Sequence, residues 1–189
     1  MRCRKSDADS INITAECLKK GGVVIIPTDT VYGFSGIVPE TDAKIRAIKG
    51  RAENKPFIQL ISKSEDIKNL TDDNIPEKLL SYWPGPLIII VNDKEKKTTV
   101  AVRCPGDGWL RSVIAETGKI IYSTSVNRSG SPVITDIDEI VKEFSDEVDL
   151  IVDDGNSESS VPSTIVSVTE GSVKVIREGA IAACSMLQE

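Results

Sequence analysis

Gly21-Gly22-Val23-Val24-Ile25-Ile26-Pro27-Thr28-Asp29-Thr30-Val31-Tyr32-Gly33 sets four consecutive aliphatic side chains between a glycine pair and a proline. An amphipathic segment at about 9–20 leads into it, so the order is helix, glycine stop, short buried strand. An aliphatic run without polar alternation suits a sheet covered by helices. Two hydroxyls, a carboxylate and a phenol follow the strand at once, where open α/β sheets place their ligands.

The same punctuation recurs downstream. Thr41-Asp42 is expected to cap a helix whose Ile45 and Ile48 face inward while Lys44 and Lys49 project, with Gly50 as its stop. A strand is expected at 57–61, a helix near 75–82, and a forced turn at Trp83-Pro84-Gly85-Pro86. Strands are predicted at 87–91, 98–103, 120–125, 148–152, 164–168 and 173–176, with helices at 109–117 and 136–144. Hairpin-like neighbours at 87–103 and 164–176, the second joined through Glu170-Gly171, call for a mixed sheet. Without repeats, low-complexity tracts or a linker, 1–189 reads as one α/β domain.

Composition narrows the chemistry. Of 189 residues, 40% are apolar and 28% charged, enough for a core that buries roughly 70% of the unfolded surface. Aromatics supply 4%, so Ile, Val and Leu must build that core. There is no histidine, which excludes Ser-His-Asp and Cys-His hydrolases, His-bearing zinc sites and phosphohistidine chemistry. Cys3, Cys17, Cys104 and Cys184 show no C-x-x-C spacing and read as free thiols. The polar N-terminus and a longest aliphatic run of five, Leu87 to Val91, give no signal peptide and no membrane partner, so a cytoplasmic location is expected. With a net charge of −6, an anionic ligand must be met by locally clustered Lys and Arg.

No G-x-x-x-x-G-K-[ST] loop is present, and Gly106-x-Gly108 lacks the third glycine of a dinucleotide fingerprint. Five places remain. They are the 27–33 turn; Lys49-Gly50-Arg51 with Lys55; the strand ending in Arg103; Ser123, Ser125 and Asn127, on one face if their strand persists; and Ser163 with Arg177 at the ends of the last hairpin. Each also has a plain structural reading: an Asx-type turn, cations at a helix C-terminus, or capping and surface positions.

Taken in order, P-T-D-T-V-Y-G at 27–33, K-x-R at 49–51, W-P-G-P at 83–86, V-A-V-R-x-P at 100–105, S-x-N at 125–127, P-S-T-I at 162–165 and R-x-G-A at 177–180 resemble the YrdC/TsaC family of threonylcarbamoyl-AMP synthases, in its short single-domain form. The likeness runs from about 10 to 180. It implies a twisted mixed sheet flanked by helices around a concave, positively charged cavity. It further implies a nucleotidyltransferase making threonylcarbamoyl-AMP and pyrophosphate from L-threonine, bicarbonate or CO2, and ATP, with partner proteins passing the product to tRNA. Carried over by position, Lys49, Arg51, Ser125 and Asn127 would form the catalytic phosphate site. Lys55, Thr99, Val133 and Arg177 would complete the ATP site, Val133 through its backbone. Thr30, Leu60, Arg103, Ser123 and Ser163 would hold threonine, Leu60 again through its backbone.

The chain departs from the family pattern at Val126, at Val133, and at Gly106-Asp107-Gly108-Trp109, where a His commonly follows. No metal site of its own is expected; Mg²⁺ would arrive with ATP, with Asp29 as the one plausible protein contributor and bonding within its own turn as that residue's other role. Two other readings are a YciO-like paralogue with little or no synthase activity, and an RNA-binding module making weak RNA contact. The latter should interleave aromatics with its cations, and Tyr32 is the one aromatic near this cluster.

Overall fold

The computed structural model describes residues 1–52, 56–157 and 161–187. In chain order the elements are β1 (Arg2–Arg4), α1 (Ser10–Lys19), β2 (Val24–Ile26), β3 (Gly33–Ser35), α2 (Asp42–Lys49), β4 (Ile58–Leu60), a 3₁₀ segment (Ser64–Asn69) and α3 (Glu77–Leu80). They continue as β5 (Leu87–Asn92), β6 (Thr99–Arg103), α4 (Gly108–Thr117), β7 (Ile121–Ser125), α5 (Ile137–Phe144), β8 (Leu150–Asp153), β9 (Thr164–Ser167), β10 (Lys174–Arg177) and α6 (Ala183–Leu187). Among the described residues the ten strands form one sheet in the order β1-β8-β2-β3-β7-β4-β6-β5-β9-β10. It is mixed as expected: β2 runs parallel to β8, β4 to β6 and β5 to β9, while β3, β7 and β10 pair antiparallel to their neighbours.

Side-chain alternation distributes the aliphatics to both faces. Val23 and Ile25 join Ile45 and Ile48 of α2 and Ile140 and Phe144 of α5 in one cluster; Val24 and Ile26 join Leu18 of α1 and Leu110, Val113 and Ile114 of α4 in another. A third cluster, with Leu87, Ile89, Val91 and Val102, fills the β5 and β6 end. The glycine stops behave as read, Gly50 and Gly118 closing α2 and α4 in the left-handed conformation at φ 62° and 65°. Asp136 caps α5 by accepting from the amides of Asp138 and Glu139. Thr41 is the N-cap residue of α2 without a side-chain cap, since its hydroxyl donates to the Ile37 carbonyl at 2.9 Å. The helix expected near 75–82 is the single turn α3.

One irregularity matters for function. Val175 of β10 opposes Val166 and Arg177 opposes Ile165, so Ile176 is an extra residue, a β-bulge. In regular register Ile176 would oppose Ile165; the bulge gives that place to Arg177 and leaves Ile176 51% exposed.

The α5 attachment has a simple test. Phe144 is fully buried and meets Phe34 of β3 edge to face, with centroids 5.0 Å apart and rings at 88°. Phe144→Ala should lower stability in urea unfolding by about 3–5 kcal/mol; a loss under about 1 kcal/mol would show that α5 is not seated through this ring.

Candidate active site

Strand register places the site residues at successive levels of one face of the sheet. Gly33 of β3 opposes Ser125 of β7, Ser123 opposes Ile58 of β4, and Leu60 of β4 lies beside Arg103 of β6. All of them line a cavity of about 400 Å³, which Thr30, Arg51, Val133, Ser163 and Arg177 also reach. A Cβ on Gly33 would sit 3.0 Å from the Ser123 hydroxyl, so any other residue would make that side chain give by a few tenths of an ångström. Gly179 serves the opposite wall, where a Cβ would come within 2.1 Å of the Pro162 carbonyl, and its amide donates to Thr164 Oγ1 at 2.9 Å. R-x-G-A is thus a close-approach motif that lays Arg177 against Ser163, whose carbonyl accepts from Arg177 Nη2 at 2.8 Å.

Nine of the thirteen residues singled out from sequence therefore meet at the cavity: Thr30, Arg51, Leu60, Arg103, Ser123, Ser125, Val133, Ser163 and Arg177. Thr99 does not. It is exposed at the start of β6 opposite Asn92, four residues and about 13 Å along the strand from Arg103. Lys55 lies outside the described residues. Asn127 is beyond the end of β7, yet its Oδ1 still accepts from the Ser125 hydroxyl at 2.8 Å. The apolar lining of Phe57, Ile88 and Leu110, drawn from a loop, a strand and α4, was not anticipated.

The Asp29 carboxylate bonds outside its own turn. Its Oδ2 accepts from Arg103 Nη2 and, at 2.9 Å, from the Gly106 amide, while Arg103 Nε donates to the Gly85 carbonyl at 3.0 Å. Thr28 organises the 27–33 turn instead, accepting from the amides of Thr30 and Val31 and donating to the Val31 carbonyl. Burial pushes the Arg103 pKa down and Asp29 opposes that shift, so the guanidinium is held as a cation with a fixed plane.

Lys49 does not project. It is 2% exposed, and its ammonium donates to Ser125 O, to Asn127 O at 2.9 Å and to Asn127 Oδ1 at 2.8 Å. Three donors meet three oxygens, so the cation acts from behind the cavity wall and not at its surface. Burial first, and Arg51 second, lower its pKa from 10.5 to about 8. Below about pH 8 the folded and unfolded chains both hold this proton; between about 8 and 10.5 the unfolded chain holds more, so this group's burial penalty is relieved as pH rises. Lys49→Met should lose about 1–3 kcal/mol in urea unfolding at pH 7, because the oxygens lose their donor. The gap to wild type should widen from about pH 8 towards 10.5; equal midpoints at pH 7, or a gap that narrows over that window, would contradict the arrangement.

The model of the Sua5/YciO/YrdC family, whose description is telomere recombination, matches residues 16–179. The chain is 30% identical over 185 residues to the threonylcarbamoyl-AMP synthase of Pyrococcus abyssi, covering 90% of this chain and 54% of that protein. It is 35% identical over 182 residues to a putative threonylcarbamoyl-AMP synthase of Methanocaldococcus jannaschii, covering 88% and 86%. The chain thus spans about half the length of the Pyrococcus abyssi relative, and 52% of the one from Bacillus subtilis. The structure of P. abyssi Sua5 complexed with L-threonine superposes with a TM-score of 0.83 at 29% identity, covering 96% of this chain and 57% of that one. E. coli YciO has the same fold, with a TM-score of 0.83 at 24% identity over 99% and 97% of the two chains. With the family model matched over most of its length and the motifs gathered on one cavity, the chain belongs to the Sua5/YciO/YrdC family.

Proposed function

We propose that this chain is an L-threonylcarbamoyladenylate synthase, condensing L-threonine, bicarbonate or CO2, and ATP into threonylcarbamoyl-AMP and pyrophosphate. The observation that carries this reading is the convergence of Arg51, Arg103 and Arg177 with the hydroxyls of Thr30, Ser123, Ser125 and Ser163 on one cavity of about 400 Å³, a volume suited to small substrates. Threonine's amine forms a carbamate, releasing a proton when it combines with CO2 or water when it combines with bicarbonate. A carbamate oxygen then forms a bond to the α-phosphorus as the bond to the β-phosphate oxygen breaks, and pyrophosphate leaves with that electron pair. Such a step needs positioning and stabilisation of phosphoryl charge more than a covalent nucleophile, which agrees with a chain lacking histidine.

In this reading Arg51, Arg177 and Ser125 face the triphosphate, and Lys49 fixes Ser125 and Asn127 from behind. Arg103, its plane set by Asp29 and Gly85, reads the threonine carboxylate, with Thr30, Ser123 and Ser163 around the rest of the amino acid. Mg²⁺ enters as the ATP complex, a hard ion that keeps phosphate oxygens and water as ligands. No group of three or more His, Cys, Asp or Glu among the described residues could hold a metal, and the Asp29 carboxylate is already engaged by Arg103 and Gly106. Partner proteins would carry the threonylcarbamoyl group onward to tRNA. Tyr32 is 1% exposed, with its hydroxyl donating to the Gly155 carbonyl at 2.7 Å, so it offers no face for stacking an RNA base and the enzyme reading is favoured over an RNA-binding one.

Mass spectrometry of purified protein incubated with ATP, Mg²⁺, threonine and bicarbonate should detect threonylcarbamoyl-AMP. ATP-binding protein that yields none would sink the reaction and leave a YciO-like paralogue. Arg51→Ala should weaken ATP about tenfold or more in calorimetric titration, since charge-assisted bonds to phosphate contribute roughly 1.5–3 kcal/mol each. Arg103→Lys should raise the threonine KM much more than the ATP KM, because a point charge does not reproduce a planar fork; equal effects on the two would place Arg103 with the phosphates.

A further inference from the structure

Two guanidinium groups lie against one buried ring. The Cζ of Arg46 is 4.6 Å and that of Arg51 5.1 Å from the Phe57 centroid. Phe57 is 4% exposed, borders the cavity beside Arg51, and is braced by the Tyr122 ring at 5.5 Å and 66°. Arg46 is not at the cavity. Its Nε and Nη2 donate to the Asp42 carboxylate one turn earlier in α2, and its Nη1 donates to the Ala52 carbonyl at 2.7 Å, just past Arg51. Arg51 in turn donates through Nη2 to the Pro56 carbonyl at 3.1 Å.

The negative face of an aromatic ring attracts each cation, yet two cations at one ring repel each other. That repulsion adds to burial in lowering the Arg51 pKa. Because Arg46 is anchored by Asp42 and Ala52, Arg51 is the member nearer the cavity, and an anion arriving there relieves the crowding. We propose that Phe57 and Arg46 are positioning residues for Arg51: the ring orients its guanidinium towards the cavity, while Arg46, itself paired with Asp42, pins the chain at Ala52. This rests on the reading that Arg51 meets the triphosphate.

A residue that merely fills the core would, when changed, lower stability and disturb both substrates alike. A positioning residue acts on one. Phe57→Leu should weaken MgATP about three- to tenfold in calorimetric titration and raise the ATP KM to match. Its threonine KM should stay near wild type, and Phe57→Tyr, which keeps the ring, should restore ATP affinity. Arg46→Gln leaves the ring in the core and supplies the same test should Phe57→Leu fail to fold; about a threefold loss of ATP affinity is expected. Unchanged ATP affinity in folded Phe57→Leu or in Arg46→Gln, or parallel rises in both KM values, would overturn the proposal. Wild-type protein that binds ATP but forms no threonylcarbamoyl-AMP would refute the assigned reaction while leaving the seat for Arg51 supported if the two variants lose affinity; wild-type protein that binds no ATP would overturn both.

Discussion

The Lys49 ammonium sits at the end of α2 in contact with Ser125 O, Asn127 O and Asn127 Oδ1, and a charge this buried persists only where oxygens replace its hydration shell. The Arg51 and Ser125 side of the cavity depends on that junction. It locks the helix that leads into Arg51 onto the strand that carries Ser123 and Ser125. The neighbouring backbone reinforces it, with the Ser129 amide donating to the Lys49 carbonyl at 2.7 Å and Arg128 donating to the Ile48 carbonyl while also pairing with Glu143 and Glu147 at the α5 end. Loss of the cation would leave several oxygens unsatisfied at once, which is why its effect is expected on folding as well as on ligand binding.

A related economy governs the three cavity arginines, each of which is steadied by a backbone carbonyl: Arg51 by Pro56, Arg103 by Gly85 and Arg177 by Ser163. A carbonyl contributes orientation without cancelling the positive charge. Arg103 differs in adding a carboxylate, Asp29, and the two residues are 5% and partly exposed, so the fork is fixed and locally balanced before any ligand arrives. Fixing side chains in the empty protein lowers the ordering cost that binding would otherwise carry.

Much of this was legible in the sequence, because aliphatic runs and glycine stops obey local rules. The eight strands read from it are present within a residue or two at each end, and the motifs at their ends reach the cavity because strand ends are where register brings distant segments together. What escaped were three-residue strands with no such pattern. Arg2–Arg4 is polar in sequence, and Gly33–Ser35 lies inside a motif that reads as a turn; each is a strand only because β8 or β2 and β7 supply partners. The inward path of Lys49 was equally illegible. A lysine on a helix of mixed polarity projects by default, and only the oxygens of a segment more than seventy residues away turn it inward. Thr99 shows the converse: a position matched by motif does not fix depth, for Thr99 stands exposed at the start of β6 while Arg103 is buried at its end.

The extra residue in β10 bears on how copies of the chain meet each other. The sheet ends at β10, and a straight outer strand there would offer an unbroken ladder of amides and carbonyls to a second molecule. Inserting Ile176 disrupts the hydrogen-bond spacing at the same point where Arg177 turns to the cavity. The bulge thus accompanies Arg177's place on the cavity face and interrupts the ladder on the outer rim. Deleting it would restore a regular edge, with Arg177 still opposite Ile165, and open a route to strand-to-strand polymerisation.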